Sequence, residues 1–287
     1  MSDEILRRAR PWLGTMVDVT VRAGNVDTAR HALEAAFSAM ARVHRLMSPI
    51  EPASDVAAIN RAAAGESVAV SRETFTVLAF CERLNRASQG LFDPCCAANS
   101  AGRWADLTLD HDSLRVWVRQ RVRMDLGGVA KGYAVDEAVR AACAAGASSG
   151  LINAGGDMRA WGDTPVAVHI RHPVQRAGIP AGNLSNAALA TSALGESRYV
   201  NTICFGAPLP FVSASVTAPD CMAADALTKV VLASPAPPLT LLAEYNAAAL
   251  VIDPDGAIYL TRQPLLPEIN IVNVRASERD ALEIAHV

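Results

Sequence analysis

The chain has 287 residues, of which 51% are hydrophobic and 19% charged, the balance of a folded globular protein with a large core and not of a disordered one. Its formal net charge is -3 and no lysine- or arginine-rich run forms a phosphate-backbone patch, which argues against a nucleic-acid partner. Residues Met1–Arg10 hold no apolar signal core and no small-residue cleavage site, and no apolar run of about 18 residues follows, so neither a membrane partner nor an export signal is expected and the compartment read from the sequence is cytoplasmic.

Val17, Val19 and Val21 alternate along a first strand at Thr15–Arg22. A long helix follows from about Asp27 to Met47, with Ala29, Leu33, Ala36, Phe37, Met40, Val43 and Met47 as its apolar stripe. Ser48–Ser67 reads as a proline-containing loop that encloses Ser54–Asn60. A second helix opens after Ser71 as N-cap and stops at Gly90. Short strands are expected at Leu107–Leu109, Leu114–Val118 and Val122–Asp125, with Arg119, Arg121 and Arg123 as a solvated face.

Asp125-Leu-Gly-Gly-Val-Ala-Lys-Gly132 then forms a glycine-rich corner into a helix from Ala130 to about Ala145, stopped by Gly146. Gly127, Gly128 and Gly132 permit close backbone approach, and positive φ where a turn needs it. The amide-rich start of this helix favours an anion, most simply a phosphate. Neither common nucleotide loop, G-x-G-x-x-G or G-x-x-x-x-G-K-[ST], occurs in the chain. The competing reading of the corner is an ordinary strand–turn–helix junction. Further strands are expected near Gly150–Asn153, Met158–Trp161, Val166–Ile170, Ala187–Thr191 and Val212–Thr217, the last leading into a helix at Met222–Leu232. Ala248–Ile252, a turn at Asp253-Pro-Asp-Gly256, Ala257–Leu260 and a strand near Ile269–Val274 close the chain. Strand runs broken by single helices indicate α+β. The six cysteines (Cys81, Cys95, Cys96, Cys143, Cys204, Cys221) show neither C-x-x-C nor zinc spacing, and several of them, in apolar helical contexts, read as small core residues.

Leu13-Gly-Thr15, Gly90-Leu-Phe-Asp-Pro94, Asp125–Gly132, Asn153-Ala-Gly-Gly-Asp157 and Ala224-Asp-Ala-Leu-Thr228, in that order and spacing, together resemble the ApbE family, flavin transferases that attach FMN to target proteins. The resemblance runs from Leu13 to about Leu232. It implies one domain over residues 1–287 with a two-lobed ApbE-like fold, mixed or antiparallel sheets and flanking helices. It further implies FAD as donor, a flavin-acceptor protein whose Ser or Thr attacks the FMN phosphorus, AMP as leaving group, and Mg²⁺ assistance. By resemblance, Leu13, Phe92, Asp93, Asp125, Gly127, Gly128, Lys131, Gly155, Gly156 and Asp157 belong to the flavin site. Gly128 (through its carbonyl), Asp225 and Thr228 fall at the metal, and Asp225, Thr228 and Lys229 form the catalytic set.

The sequence departs from the family pattern in places. Leu13 stands where a methionine is usual, and Met47-Ser-Pro-Ile50 offers no aromatic before the Ser54 loop. The family's His-x-x-x-Pro-x-Thr-Gly segment is replaced by Arg198–Pro210, which has no histidine; the six histidines are His31, His44, His111, His169, His172 and His286. The family threonine lies four residues after the aspartate, whereas Thr228 lies three after Asp225 and Lys229 takes the fourth place. Either Thr228 substitutes from a rotated position or Lys229 occupies part of the metal's place. Two alternatives to transfer accompany these departures, a FAD binder without catalysis and a Mg²⁺-dependent FAD pyrophosphatase.

Overall fold

A computed structural model of the chain describes residues 3–95, 102–173, 178–194 and 209–261. Its main sheet has eight strands. In spatial order they are β1 (Glu4–Trp12), β2 (Thr15–Ala23), β6 (Ser149–Ala154), β7 (Asp157–Trp161), β10 (Ala188–Ala193), β11 (Ser213–Ala218), β12 (Ala248–Ile252) and β13 (Ile258–Leu260). Every pairing among the described strands is antiparallel, so of the mixed or antiparallel sheets expected, the antiparallel kind is found.

One face of this sheet is covered by helices α1 (Val26–Met47), α4 (Ala130–Ala144) and α5 (Cys221–Ala233), packed side by side with α5 against β10 and β11. The inward residues Val17, Val19 and Val21 are fully buried, as is the α1 stripe residue Met40. That burial is why the period-two and period-3.6 patterns were readable. Part of the opposite face is covered by a ribbon of β8 (Val166–Arg171) and β9 (Gly178–Leu184), whose Val168, Ile170, Ala181 and Leu184 join a core with Leu250 and Ile252. The smaller lobe holds α2 (Asp55–Arg61), α3 (Arg72–Ala87) and a three-stranded sheet ordered β3 (Ser67–Ala69), β5 (Arg115–Val118), β4 (Leu107–Asp110). A short helix α6 (Leu239–Glu244) precedes β12.

The fold departs from the sequence reading in several elements. Strand β1 was not anticipated, because it lies at the sheet edge, largely exposed, and carries no alternation. It is held by Arg7 to Asp18 at 2.6 Å across the hairpin and by Arg8 and Arg10 to Glu34 of α1. The Ser48–Ser67 loop contains α2, whose N-cap Ser54 accepts from the Ala57 amide at 3.0 Å. Val122–Asp125 is not a strand. The Asn60 side chain takes the place of a strand partner, accepting from the Met124 amide at 2.7 Å and donating to its carbonyl at 2.9 Å. Strands β3 and β9 and helix α6 were likewise unforeseen. The expected strand at Ile269–Val274, most of Arg198–Pro210, Cys96, Cys204 and His286 lie outside the described residues.

Candidate functional site

Two tight hairpin turns meet at one end of the main sheet. In the first, Trp12 pairs with Thr15, leaving Leu13 and Gly14 as the turn residues with φ of 55° and 73°. In the second, Ala154 pairs with Asp157, and Gly155 and Gly156 turn with φ of 65° and 101°. Positive φ at both central residues is the turn geometry that follows the twist of an antiparallel pair. The turns touch, since a Cβ on Gly155 would lie 2.3 Å from Thr15 Oγ1. Asn153 Oδ1 accepts from the Gly156 amide at 2.9 Å and fixes the second turn.

The starts of α4 and α5 come to the same end of the sheet. Gly132, in the first turn of α4, packs directly on α5, where an added Cβ would lie 2.1 Å from the Cys221 carbonyl oxygen. Its amide donates to Asp225 Oδ2 at 3.0 Å. Asp136, one turn later, accepts from the Cys221 and Met222 amides at 2.9 Å each and from Arg159 at 2.6 Å. A carboxylate from α4 thus caps the N-terminus of α5 and complements its dipole. Asp220 adds the local cap, accepting from the Ala223 amide at 2.8 Å.

These contacts assemble four charges. Lys131 pairs with Asp157 and Lys229 pairs with Asp225. Both aspartates are fully buried, Lys229 is nearly so, and the Lys131 side chain is 28% exposed. Burial raises the Asp225 carboxyl, but Lys229, Lys131 and the Gly132 amide overcome it and hold the group below the usual carboxylate range. The Asp157 carboxyl is pushed up, chiefly by burial and then by the neighbouring Asp225. The difference has a visible cause, because Asp157 Oδ1 has no hydrogen-bond partner. Burial works against the Lys131 ammonium, yet Asp157 and Asp225 hold its pKa above the ordinary lysine value.

The structure therefore brings together Leu13, Lys131, Gly155, Gly156, Asp157, Asp225, Thr228 and Lys229 around the sheet end and the α4–α5 contact. The Thr228 hydroxyl donates to the Asp225 carbonyl at 2.6 Å and shares a 2.7 Å hydrogen bond with Ser192 of β10. Gly128 is buried beside the start of α4, Gly127 donates its amide to Asp125 Oδ1 at 2.8 Å, and none of Gly127, Gly128 and Gly132 adopts positive φ. Phe92 is 1% exposed within the main core, and the Asp93 carboxylate binds the Cys95 and Trp104 amides of its own lobe. His172 lies 3.2 Å from the Gly256 carbonyl, and His44 packs edge-on to Trp12 beside the first turn. An open depression of about 440 Å³ is lined by Trp12, Leu13, Gly14, Thr15 and His44. Asp136 and Arg159 escaped the sequence reading, for their only signal is a carboxylate one turn after Gly132 and a strand arginine with no local partner.

The Mg²⁺ that the family resemblance implies would have to find its oxygens among these donors. All three oxygens of Asp225 are engaged. Oδ1 is held by Lys229, Oδ2 by the Gly132 amide, and the carbonyl by Lys229 at 2.9 Å and Thr228 at 2.6 Å. Among the described residues no group of three or more His, Cys, Asp or Glu side chains converges on one point. A hard cation needs several open oxygens, and these residues do not fit it.

An antiparallel α+β scaffold with glycine turns and buried paired charges at one sheet end is the class that fold and site define. The chain matches the ApbE family over residues 13–251 and belongs to that family. Among solved structures it is similar to the ApbE protein from Thermotoga maritima, with a TM-score of 0.78 and 23% identity over 89% of this chain and 96% of that one. The flavin transferase ApbE from Vibrio cholerae gives 0.75 and 20% identity over 90% and 97%, and the flavinyl transferase ApbE from Pseudomonas stutzeri gives 0.75 and 20% over 91% and 95%. No curated protein matches the chain in sequence.

Proposed function

We propose that this chain transfers FMN from FAD to a Ser or Thr of an acceptor protein and releases AMP. The observation that carries the reading is the meeting of the Gly155–Gly156 turn, the start of α4 and the start of α5 on two buried ammonium–carboxylate pairs. Phosphoryl transfer asks an enzyme for position and charge neutralisation rather than for covalent chemistry, and backbone turns with lysines offer both. Lys131, Gly155, Gly156 and Asp157 are assigned to the flavin nucleotide, with Leu13, Asp125, Gly127 and Gly128 beside them. Phe92, buried in the core, and Asp93, bound to the Cys95 and Trp104 amides, are assigned to the flavin site by the family pattern alone. In the step itself, the acceptor hydroxyl oxygen bonds the phosphorus of the FMN half. The bridging P–O bond breaks, AMP leaves with its electron pair, and the hydroxyl proton passes to solvent. Among the described residues no helix is long and apolar enough to cross a membrane.

The two named transferases in the comparison lend support to this reading. A FAD binder without transfer is the second reading, favoured by Lys229 and the Gly132 amide together engaging every oxygen of Asp225 and by the histidine-free Arg198–Pro210 segment. Incubation with FAD and an acceptor protein carrying a reactive Thr, read by intact mass, separates the cases. FMN added to the acceptor supports transfer, free FMN and AMP without acceptor labelling indicate pyrophosphatase activity, and unchanged FAD indicates binding alone.

A further inference from the structure

Lys229 is the residue at which this site differs from one built for a divalent cation. Its side chain sits one helical turn after Asp225 and on the same face. It is 2% exposed, and its ammonium donates to both the carboxylate and the carbonyl of Asp225. Two of the three N–H donors of a compact point charge thereby engage oxygens that a metal would have to ligate. Gly132 closes the remaining carboxylate oxygen from the α4 side. Thr228, whose hydroxyl is turned toward Ser192 and the Asp225 carbonyl, offers no open oxygen in compensation. Across the site, Lys131 repeats the arrangement on Asp157, leaving Asp157 Oδ1 as the single unpartnered carboxylate oxygen of the pair. One such oxygen falls well short of the roughly six ligands that Mg²⁺ or Ca²⁺ takes.

We infer that Lys229 is the resident cation of this site. Its ammonium holds the seat on Asp225 that a divalent metal needs, and the site takes a nucleotide pyrophosphate against the part-exposed Lys131 without a metal. The choice of ligand rests on the flavin reading above; the exclusion of metal does not.

The test uses the full-length chain free of nucleotide, with Mn²⁺ as the probe and free Mn²⁺ counted by electron paramagnetic resonance. The wild type is expected to bind no Mn²⁺ beyond the buffer blank. Lys229→Thr, which opens Asp225 Oδ1 and supplies a hydroxyl one turn away, is expected to bind one equivalent, at least about tenfold tighter than wild type, and Mg²⁺ should displace it. In fluorescence titrations, FAD affinity of the wild type should be the same in EDTA and in Mg²⁺, whereas Lys229→Thr should need Mg²⁺. One equivalent of Mn²⁺ on the wild type, displaced by Mg²⁺, overturns the inference, as does a Lys229→Thr protein that folds and remains blind to metal. Should that variant fail to fold, the wild-type count alone decides. Failure of every form to bind FAD would refute the flavin reading while leaving the metal count to decide the place of Lys229.

Discussion

Gly132→Ala sets two physical effects against each other, and magnitude decides between them. In an exposed helix the change stabilises by about 1 kcal/mol through helix propensity. Here the new Cβ would lie 2.1 Å from the Cys221 oxygen, 2.6 Å from its carbonyl carbon and 2.9 Å from Asp225 Cβ. The first two are backbone atoms at the capped start of α5, so they yield only if the helices part. Overpacking of a tight core costs about 1–3 kcal/mol. Parting α4 from α5 also lengthens the 3.0 Å bond from the Gly132 amide to Asp225, and a hydrogen bond to a buried charge contributes about 1.5–3 kcal/mol. Packing and charge outweigh propensity, leaving a net destabilisation of about 3 kcal/mol. For a chain of this size that lowers the thermal midpoint by about 5–12 °C. Circular dichroism melts of both proteins without nucleotide measure it. A midpoint equal to wild type or higher would show that α4 and α5 do not touch at Gly132, and the charge cluster built on that contact would fall with it.

Other substitutions probe the parts separately. Gly155→Ala places a Cβ 2.3 Å from Thr15 Oγ1 at a φ of 65°, so FAD affinity measured by fluorescence quenching should drop about tenfold or more; unchanged quenching removes this turn from the nucleotide site. Asp225→Asn leaves the Lys229 ammonium buried with a neutral amide and should cost about 3–5 kcal/mol in urea denaturation; a cost below about 1 kcal/mol would mean that water reaches the pair. The pH dependence has a definite sign. Asp225 is held below the ordinary carboxylate range by Lys229 after burial is overcome, so its contribution is complete above pH of about 4 and is lost as pH falls through the folded value. Lys229→Met removes that contribution, so the gap in thermal midpoint between the two proteins should be widest at neutral pH and narrow on acidification; a widening gap would contradict the pairing.

The larger elements were legible because each buries one face. The strand alternation of Val17, Val19 and Val21 and the α1 stripe report that burial directly. β1 escaped because its α1-facing positions mix Leu6 and Trp12 with Arg8 and Arg10 and so show no apolar alternation, and α2 escaped because its seven residues are too few for a periodicity, although Ser54 was available as a cap. At the site, the Asp225–Lys229 pair could be read from a spacing of four on one helix. The Lys131–Asp157 pair could not, since it joins a helix start to a hairpin turn 26 positions away. Asp136 lies 85 positions from the amide that it caps, and no local rule connects them. Positive φ was expected in the Asp125–Gly132 corner where a turn needs it, yet it occurs in the Leu13–Gly14 and Gly155–Gly156 turns. What Gly132 supplies is the absence of a side chain against α5.

Leu13 presents the remaining puzzle, and it can be settled by experiment. A leucine at φ 55° is strained, where its neighbour Gly14 at 73° is not, and such strain costs of the order of 1 kcal/mol or more. Asn relieves it, because its side chain tolerates the left-handed region that this hairpin turn demands. Leu13 also packs partly buried against the main core, and losing that apolar contact costs about as much as the relief returns. Leu13→Asn should therefore leave the thermal midpoint nearly unchanged. If the turn serves only the fold, FAD affinity should be unchanged as well. If the leucine is kept in a strained conformation because its side chain lines the depression beside Trp12 and His44 and that depression takes FAD, FAD affinity should fall about tenfold at constant stability. The second outcome is expected, since the same turn touches Gly155 through Thr15. A Leu13→Asn protein that melts and titrates FAD as the wild type does would refute it and return Leu13 to the hairpin alone.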